Sequence, residues 1–531
     1  MSNDELILTG DALEELADLF TDESRLHGSA QGVARPTSEQ ELLAVLRACT
    51  EKEAPVTVSA GLTGITGSGV PQGGVALNVG RMDRVLGLRE EDGRFTIRCQ
   101  PGVVLADLRD AIEKREFEGS DTWPEPDRAA LAALREAPEQ FLPCDPTEWS
   151  ACIGGMTACN ASGARTHRYG PMRDHVVGLR AALVDGRTFE LRRDYVACTE
   201  DRAFELALEN GQRISGRLPG YTMPKVKHAA GYYAADGMDL LDLFVGSEGT
   251  LAVFTEIGLR LRPAPARALG IIAFVPSEKA AVGLVHALRG EEQGAPPFPP
   301  AAIEFFGHRA LDLLRVHREE TEGAAEIPEL SEDWHTGVFV EFHGDEEEVD
   351  EAALAFAELL EAAGCDEEAT WMATEPREHE RLRLFRHAVP EAVNLRIGRI
   401  QRDCPDITKL GTDMAVPNEH LDGMLALYRE RLEAEGLEYV IFGHIADNHL
   451  HVNILPHTQD EYARGKEIYK GFAQEAVARG GTVSAEHGIG KLKTFLLPLL
   501  YGEEGVEEMR RVKRLFDPGW RLNPGTLFPQ A

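Results

Sequence analysis

No run of apolar residues in this sequence is long enough to cross a membrane. A spanning helix needs about 18 or more consecutive apolar residues, and no such run occurs in the 531 residues. The eight cysteines are scattered and form no Cys-x-x-Cys pair, which argues against an iron–sulfur cluster or a zinc ribbon. The opening stretch, MSNDELILTGDALEEL, lacks a signal-peptide pattern and predicts an acidic helix. We therefore expect a cytoplasmic protein with free thiols.

Positive charge is scarce, and lysine is the scarcest cation. Lys and Arg together number 55, of which 11 are lysine, against 89 Asp and Glu, so the formal net charge is −34. An acidic surface of this kind repels nucleic acid, and we exclude nucleic acid as a partner. A lysine-poor acidic surface is typical of a salty cytoplasm and follows equally from genome composition. The sequence does not favour either origin.

The sequence pattern changes near residue 268. Before that point, glycine-rich blocks alternate with short strands, and residues 115–140 predict an inserted loop and helix. After it, strands alternate with amphipathic helices, which predicts an α+β region with an antiparallel sheet, and the chain closes with a basic helix and an extended tail. Strands are expected at 55–59, 75–79, 178–184, 188–191, 270–275, 336–342, 413–416 and 439–442, and helices at 277–289, 346–363, 418–435 and 460–479.

The stretch FGHIADNHLHVN places three histidines in a run that otherwise predicts buried strand. Asp447 and Asn448 both tolerate left-handed backbone, so we treat this pair as a two-residue hairpin loop. Such a loop sets His444 opposite His451, with Cβ atoms roughly 5 Å apart on one face, and Asn453 shares that face. Two imidazoles so placed are half of a zinc-type site. The alternative is a buried histidine pair satisfied by backbone groups.

The loop SAGLTGITGSGV, which starts at Ser59, is the second chemical signal. Four glycines with interleaved hydroxyl residues let backbone N–H groups surround an anion, and the hydroxyls add donors. A strand follows the loop rather than a helix, so the loop is neither a Rossmann fingerprint nor a P-loop. Taken alone, it predicts either pyrophosphate binding or an ordinary glycine-rich turn.

Four segments in one order carry a resemblance to a known family. They are the 59–69 loop, DPTEWSACIGGMTACNASGARTHRYG, VGSEGTLAVFTEIGLRL, and GHIADNHLHVN followed by SAEHGIG. From about residue 35 to 529 the chain resembles the FAD-linked oxidases, a family that includes D-lactate dehydrogenases, D-2-hydroxyglutarate dehydrogenases and the glycolate oxidase flavin subunit. The resemblance implies an α+β protein with four parts: an N-terminal helical segment (1–34), a two-part FAD-binding domain of the vanillyl-alcohol-oxidase type (35–265), a substrate- and metal-binding α+β cap with an antiparallel sheet (266–500), and a C-terminal segment returning to the FAD domain (501–531).

The resemblance also implies where FAD binds. The residues implied to wrap its pyrophosphate are Ala60, Gly61, Thr63, Gly64, Thr66 and Gly67. Those implied to line the adenosine and ribityl path are Pro143, Asp145, Ser150, Gly154, Gly155, Ala161, Ser162 and Gly163. Glu248, Gly249, Ile257 and Asn523 are implied to complete the pocket. We expect non-covalent FAD, because the 59–69 loop has no His, Cys or Tyr to form a tether.

A divalent metal, zinc or manganese, is implied on His444, His451 and Glu486. The family motif is usually written GHxGDGNLH, whereas this chain has GHIADNHLH, which keeps both histidines and adds His449 as an extra polar group. Three protein ligands with an open position are the arrangement of a catalytic metal site. The neighbour of the glutamate, His487, is implied to contact substrate and to act as the general base.

A substrate carboxylate needs a cation, and Arg386 in LFRHAVPEAV resembles the family arginine that binds it. A guanidinium suits this role because it meets a carboxylate in a bidentate fashion. Arg396 and Arg399 are alternatives, and an ordinary surface arginine is the other interpretation. Lys409 and Asn453 complete the implied catalytic set.

The implied reaction is FAD-dependent oxidation of a D-2-hydroxy acid, such as D-lactate, glycolate or D-2-hydroxyglutarate, to the 2-oxo acid. Hydride would pass to flavin N5, and a quinone, cytochrome or electron-transfer flavoprotein would accept the electrons. Peripheral membrane or partner-subunit association and a homodimer are compatible with the sequence. The alternatives are a sugar or aldonolactone oxidase, a redox-neutral flavoenzyme like alkyl-dihydroxyacetone-phosphate synthase, and a metal-dependent hydrolase or binding module.

Overall fold

The computed structural model describes residues 6–291, 298–320 and 327–529. The strands of the first half are β1 (Gly32–Ala34), β2 (Val56–Ser59), β3 (Val75–Asn78), β4 (Val85–Glu91), β5 (Arg94–Cys99), β6 (Gln140–Phe141), β7 (Val176–Ala182), β8 (Thr188–Arg192), β9 (Ala203–Ala207), β10 (Arg213–Arg217), β11 (Val253–Arg260) and β12 (Arg262–Pro263). Those of the second half are β13 (Arg267–Val275), β14 (Ala302–Phe306), β15 (Thr336–Gly344), β16 (Thr370–Ala373), β17 (Leu410–Gly411), β18 (Tyr439–His444) and β19 (His449–Ile454).

Helices occur in both halves but are longer in the second. They are α1 (Glu39–Glu51), α2 (Leu105–Lys114), α3 (Glu125–Glu136), α4 (Ile153–Cys159), α5 (Thr166–Tyr169), α6 (Leu241–Phe244), α7 (Glu278–Leu288), α8 (His308–Glu320), α9 (Glu346–Ala362), α10 (Pro376–Asp403), α11 (Leu421–Ala434), α12 (Gln459–Ala478) and α13 (Leu497–Phe516). Within the described ranges, no helix is both long enough and apolar enough to span a bilayer.

The described part of the first half contains two larger sheets and two two-stranded ones, β10-β9 and β12-β6. Strands β1, β3 and β2 form a small parallel sheet in that order, and β4, β5, β11, β7 and β8 form a five-stranded antiparallel sheet. Helix α1 shows why the chain folds this way locally. The Ser38 side chain accepts a hydrogen bond from the Glu41 N–H and so caps the helix start. Leu42, Val45 and Leu46 recur at helical spacing and are buried against the small sheet.

A seven-stranded antiparallel sheet dominates the second half, in the order β16-β13-β15-β14-β18-β19-β17. Strand β13 is apolar on both faces. Ile271 and Ala273 belong to the main hydrophobic core with helices α7 and α9, whereas Ile272 and Phe274 face the core formed with α8 and α10. Because side chains alternate along a strand, one apolar run lines two cores. The predicted antiparallel α+β region is therefore confirmed.

The two halves join through two chain segments. Residues 484–491 follow α12 and lie on the 59–69 loop, where the Lys491 N–H donates to the Thr66 carbonyl (2.9 Å). The C-terminal tail returns after α13, and Leu522 forms a parallel bridge with Val56 in β2. Glu486, in the 484–491 segment, lies 3.4 Å from His444, the last residue of β18. The junction of the 59–69 loop with residues 484–491 therefore lies at the loop end of the β18–β19 hairpin.

The hairpin register differs from the expected one. His444 is paired with His449, and His451 with Phe442, so the loop has four residues, 445–448. Residues 445–447 form a 3-10 turn and only Asn448 adopts left-handed backbone, with φ of 52°. The Asn448 amide donates to the Val416 carbonyl (3.0 Å), which holds the wider loop. A shift of two residues preserves the faces of both strands, so all three histidines share one face.

One further expectation fails locally. Residues 413–416 form no strand: β17 ends at Gly411, and Ala415 makes isolated bridges with His449 and Thr482 instead. The acidic helix expected near the N-terminus is present in the described residues as a 3-10 helix, Gly10–Phe20. Residues 1–5 lie outside the described residues.

Candidate functional site

Four side chains converge at the loop end of the β18–β19 hairpin. They are His444, His449, His451 and Glu486, and their potential ligand atoms lie within 4.8 Å of one another. From the Glu486 Oε2 atom, His444 Nε2 is 3.4 Å away, His449 Nδ1 3.8 Å and His451 Nε2 3.8 Å. The three implied ligands therefore meet in space, and His449 joins them.

Carboxylates lie behind two of the imidazoles. His444 Nδ1 is 2.9 Å from Glu304 Oε1, and His449 Nε2 is 3.0 Å from Asp413 Oδ1. Imidazoles that ligate metal usually have such a partner on the second nitrogen, because it sets the tautomer and the ring orientation. In both rings the nitrogen left over faces Glu486.

Asp413 organises the loop that carries the glutamate. It is fully buried and accepts hydrogen bonds from the backbone N–H groups of Glu486 (3.2 Å) and His487 (3.0 Å) and from the Ser484 hydroxyl (2.5 Å). The ring of His487 also has its Nδ1 3.1 Å from Asp413 Oδ1. Burial opposes ionisation, but His487 and Lys493 hold the pKa of Asp413 well below its usual range.

Lys227 holds the other side of Glu486. The Lys227 Nζ donates to Glu486 Oε1 (2.9 Å), and the Ser162 hydroxyl donates to the same oxygen (3.0 Å). Burial works against the carboxylate, yet Lys227 and His444 keep the pKa of Glu486 well below its usual range. The other carboxylate oxygen is thereby left facing the imidazoles. Ser162, implied to line the adenosine and ribityl path, contacts the cluster through this hydrogen bond.

Protonation differs sharply between the paired histidines. Burial lowers the pKa of His444, but the Glu486 and Glu304 carboxylates outweigh it and raise the value to about 9. Burial dominates at His449 and lowers its pKa to about 4 although Asp413 opposes the change. The pKa values of these two histidines are therefore shifted in opposite directions.

Glu304 connects Arg386 to the cluster, because it contacts both Arg386 and His444. The Arg386 Nε donates to Glu304 Oε2, and its guanidinium sits over the Phe339 ring at 4.7 Å. Among the described residues, its two terminal nitrogens have no hydrogen-bond partner. The alternatives point elsewhere, since Arg396 pairs with Glu438 and Arg399 with Glu320, on the outer side of α10.

The remaining members of the implied catalytic set lie at the edge of the sheet. Lys409 donates to the Asn394 side chain (2.6 Å), and burial lowers its pKa to about 8. Asn453 lies in β19 two residues after His451, opposite Gly411, and its buried amide nitrogen has no hydrogen-bond partner among the described residues. The structure shows neither side chain in contact with the His–Glu cluster.

The 59–69 loop presents free backbone donors at the junction. In the described part of the chain, no acceptor takes a hydrogen bond from the backbone N–H groups of residues 61–66. The Gly67 N–H donates to the Asp22 carboxylate (3.0 Å). Leu62 and Gly67 adopt left-handed backbone, which turns the loop back on itself. Six consecutive N–H groups therefore remain available to an anion.

The second implied FAD segment packs against this loop. A Cβ on Gly61 would lie 3.2 Å from the Ser150 carbonyl oxygen, and one on Gly163 would lie 1.7 Å from the Asp145 carbonyl oxygen. Asp145 itself is buried beside Arg109 (3.1 Å). Of the other members of this segment, Pro143 is buried in the 142–145 stretch, Gly154 and Gly155 lie in α4, and Ala161 follows that helix.

The residues implied to complete the FAD pocket include contacts between the two domains. Both carboxylate oxygens of Glu248 are engaged, by the Ser68 hydroxyl (2.6 Å) and by the Ile489 and Gly490 N–H groups (2.8 Å each). Asn523 donates to the Glu248 carbonyl and accepts from the Val58 N–H. A Cβ on Gly249 would lie 2.7 Å from the Asn523 amide, and Ile257 is a core residue of β11. These residues connect the 59–69 loop to its neighbours.

The profile of the FAD linked oxidases, C-terminal domain, matches residues 265–527, and that of the FAD binding domain matches 30–123 and 127–192. The chain belongs to the FAD-linked oxidase family. Among its relatives, a D-lactate dehydrogenase of Anaerostipes hadrus is 28% identical over 98% of this chain and 94% of that protein. The glycolate oxidase subunit GlcD of Bacillus subtilis (strain 168) is 27% identical over 93% and 88%, and a D-2-hydroxyglutarate dehydrogenase of Stutzerimonas stutzeri (strain A1501) is 25% identical over 93% and 90%.

Solved structures show the same fold at low identity. Substrate-bound p-cresol methylhydroxylase superposes with a TM-score of 0.64 at 14% identity, covering 99% of this chain and 94% of that one. An alkyldihydroxyacetonephosphate synthase superposes with a TM-score of 0.62 at 14% identity, covering 98% and 82%. The expected architecture, a two-part FAD-binding fold with an α+β cap, is confirmed for this FAD-linked oxidase.

The residues present fit both expected groups. The N–H groups of residues 61–66 are the donors that a pyrophosphate requires. For a divalent metal, three imidazoles and a carboxylate are a suitable donor set, and the buried Nδ1 of His449 has no hydrogen-bond partner among the described residues.

Sequence reasoning missed four charged residues: Glu304, Asp413 and Lys227, which contact the cluster, and Glu341, which pairs with Arg165 (2.8 Å). Glu304 and Glu341 were detectable, because each stands inside an otherwise apolar strand, in AAIEFF and GVFVEFHG. Burial of an unpaired carboxylate is costly, so a charge in such a strand predicts a partner. Lys227 and Asp413 carried no comparable signal.

Proposed function

We propose that this FAD-linked oxidase converts a D-2-hydroxy acid into the 2-oxo acid. One observation carries the proposal: a single end of the cap sheet brings together the His–Glu cluster, the Asp413–His487 pair and the Arg386 guanidinium. A 2-hydroxy acid offers a hydroxyl, a transferable C2 hydrogen and a carboxylate, so each group has a reaction partner. Relatives named for D-lactate, glycolate and D-2-hydroxyglutarate align over at least 93% of this chain, which supports the substrate class.

Arg386 binds the substrate carboxylate in this proposal. Its Nε is held by Glu304, which fixes the plane of the guanidinium, while no described residue takes a hydrogen bond from the terminal nitrogens. Two parallel N–H donors match the two oxygens of a carboxylate. Glu304 thus orients both Arg386 and His444.

His487 accepts the hydroxyl proton at Nε2. Its Nδ1 lies 3.1 Å from Asp413 Oδ1, so the carboxylate holds the ring and stabilises the imidazolium that forms. When bound, FAD supplies the hydride acceptor and the divalent metal, zinc or manganese, supplies positive charge at the substrate oxygens. The protein's contribution is alignment of the C2 hydrogen.

The test is an absorption spectrum of the purified protein followed by anaerobic mixing with D- and L-2-hydroxy acids. We expect a flavin spectrum that D-lactate, glycolate or D-2-hydroxyglutarate bleaches and L-enantiomers do not. Bleaching by sugars or aldonolactones alone would replace the proposal with a sugar oxidase. Flavin that no substrate reduces would favour the redox-neutral alternative, and colourless, metal-containing protein would favour the hydrolase or binding module.

A chelator tests the role of the metal independently of the flavin. The cluster lies in the cap, whereas the 59–69 loop lies in the other domain, so a chelator is expected to abolish activity while FAD stays bound. Zn²⁺ or Mn²⁺ should restore activity. Full activity in protein shown to lack metal would eliminate the metal's role.

Non-covalent FAD belongs to the same proposal. The 59–69 loop offers no tether, and burial raises the pKa of Cys144 in the second segment to about 12, so its thiol is not an anionic nucleophile at neutral pH. Acid precipitation should leave the flavin in the supernatant. Flavin that pellets with the protein would show a covalent bond.

We propose that a quinone, cytochrome or electron-transfer flavoprotein accepts the electrons, and that the enzyme works in the cytoplasm. Support comes from the acidic composition and the expected FAD chemistry. Turnover with each acceptor class in fractionated cell extract is the measurement. Activity confined to the membrane fraction would move the enzyme to the membrane surface.

A further inference from the structure

We propose that His449 is a fourth protein ligand of the metal, binding through Nδ1, so that this chain holds its ion with three imidazoles and one carboxylate. The inference rests on the proposed metal-dependent function and deepens it. The family motif has Asn where this chain has His449, so the extra imidazole distinguishes this chain from the motif as usually written.

The hairpin register delivers His449 to the cluster. It is paired directly with His444 across the two strands and stands two residues before His451, so all three share one face. The His449 and His451 ring centroids are 4.4 Å apart, closer than the 5.6 Å that separates either ring from His444. The imidazole at position 449 therefore lies within the cluster.

The orientation of the ring supports ligation rather than core packing. Its Nε2 lies 3.0 Å from Asp413 Oδ1, and its Nδ1 lies 3.8 Å from Glu486 Oε2, the same distance at which His451 Nε2 lies. The side chain is completely buried, and neither ring nitrogen makes a hydrogen bond of good geometry in the described part of the chain; the 3.0 Å approach to Asp413 occupies Nε2 and leaves Nδ1 facing Glu486. A buried acceptor nitrogen without a donor needs a ligand to satisfy it.

Asp413 completes the arrangement. A ligating imidazole donates its other N–H to a carboxylate or carbonyl, which fixes the tautomer. Asp413 occupies that position for His449, and the backbone of residues 484–487 holds Asp413 in turn. One buried carboxylate therefore sets both the His449 ring and the loop that carries Glu486.

A ligand set richer in nitrogen changes which ion is preferred. Imidazole suits zinc and cobalt, whereas manganese prefers oxygen ligands. We expect this chain to select Zn²⁺ or Co²⁺ over Mn²⁺ more strongly than a site with two imidazoles and a carboxylate does. Replacement of His449 by the motif's Asn should reduce that selectivity.

The experiment uses Co²⁺ as the probe, added to the full-length flavoprotein after dialysis against a chelator. Wild type, His449→Asn and a control, His457→Asn, are titrated, and the Co²⁺ bands beyond the flavin absorption are recorded. His457 is a suitable control because it pairs with Glu438 far from the cluster. Affinity comes from competition with a chelator, and flavin absorbance reports folding.

We expect His449→Asn to weaken Co²⁺ binding about 100-fold or more, beyond the 10–100-fold typical of losing a partner behind a ligand, and to change the Co²⁺ spectrum. His457→Asn should match wild type. X-ray absorption of the wild-type Co²⁺ protein, which needs no variant, should count three imidazoles.

Three results would overturn the inference. Unchanged affinity and spectrum in His449→Asn, or only two imidazoles in the wild type, would leave a metal site without His449. A wild type that binds no Co²⁺ would overturn both this inference and the proposed metal-dependent function.

Discussion

The two sides of the domain junction are built from different parts of the chain. Residues 59–69, the side proposed to bind FAD and called the flavin side, offer backbone N–H groups and need small residues where segments touch. The cap side offers buried side chains, and each carboxylate or imidazole there has a charged partner, such as Lys227 behind Glu486 or Asp413 behind His449. One side depends on space and the other on charge.

That difference follows from what burial costs. A backbone N–H keeps its dipole whatever the side chain is, so the flavin side needs no compensating charges. An ionised side chain in a buried site requires a partner, and removal of one partner leaves the other uncompensated. We therefore expect isosteric substitutions to disable the cap side, and only added volume to disable the flavin side.

Glu486→Gln should have the largest effect, because it removes a charged ligand without changing volume. The amide is a poor ligand for a divalent cation, and Lys227 loses its anionic partner. We expect loss of metal, by more than the roughly 100-fold seen for partners behind a ligand, and loss of most activity. Metal analysis and turnover of the same sample are the measurements. Retained metal would show that Glu486 is not a ligand. It would also argue against the dependence of the cap side on charge.

His487→Asn should keep the metal and slow flavin reduction by about 10²–10⁴-fold, the usual contribution of a general base. The residue touches Asp413 but is not one of the four clustered side chains. Anaerobic stopped-flow bleaching, paired with metal analysis, measures both effects. If His487→Asn loses metal and Glu486→Gln keeps it, the two roles are reversed. Reduction at the wild-type rate would exclude His487 as the base.

Lys227→Met tests whether the cap side needs its compensating charge. The residue donates to Glu486 Oε1, so its loss should weaken metal binding by about 10–100-fold. Lys227→Arg should recover part of the affinity, since it restores the charge. Lys225→Met, two residues away and exposed, is the control. Equal metal affinity in all four proteins would show that Glu486 is held by Ser162 alone.

Gly490→Ala tests the dependence of the junction on space. This glycine has φ of 56°, and a Cβ there would lie 2.1 Å from the Thr66 carbonyl oxygen. Left-handed backbone alone costs an alanine about 1–2 kcal/mol, so FAD should bind roughly tenfold more weakly. Flavin released on dilution is the measurement. Gly471→Ala in α12, with open space around it, should instead stabilise the protein by up to about 1 kcal/mol. If both variants behave alike, the contact with Thr66 is unimportant.

Much of the local structure was predictable because it depends on neighbouring residues. The apolar run at 270–275 and the amphipathic pattern at 346–363 predicted β13 and α9 within a few residues. The strand predicted at 413–416 was wrong, and the carboxylate of Asp413 accepts hydrogen bonds from residues more than 70 positions away. Sequence periodicity carries no information about such contacts.

The hairpin shows what sequence alone determined and what the tertiary structure decided. Alternation along a strand places His444, His449 and His451 on one face in either register, so the sequence by itself determined that the imidazoles cluster. The tertiary structure decided which charges stand behind them. Lys227 reaches Glu486 from 259 positions away, and Glu304 reaches His444 from another strand. Electrostatic partners are chosen by distance through space under burial, and separation along the chain does not encode that distance.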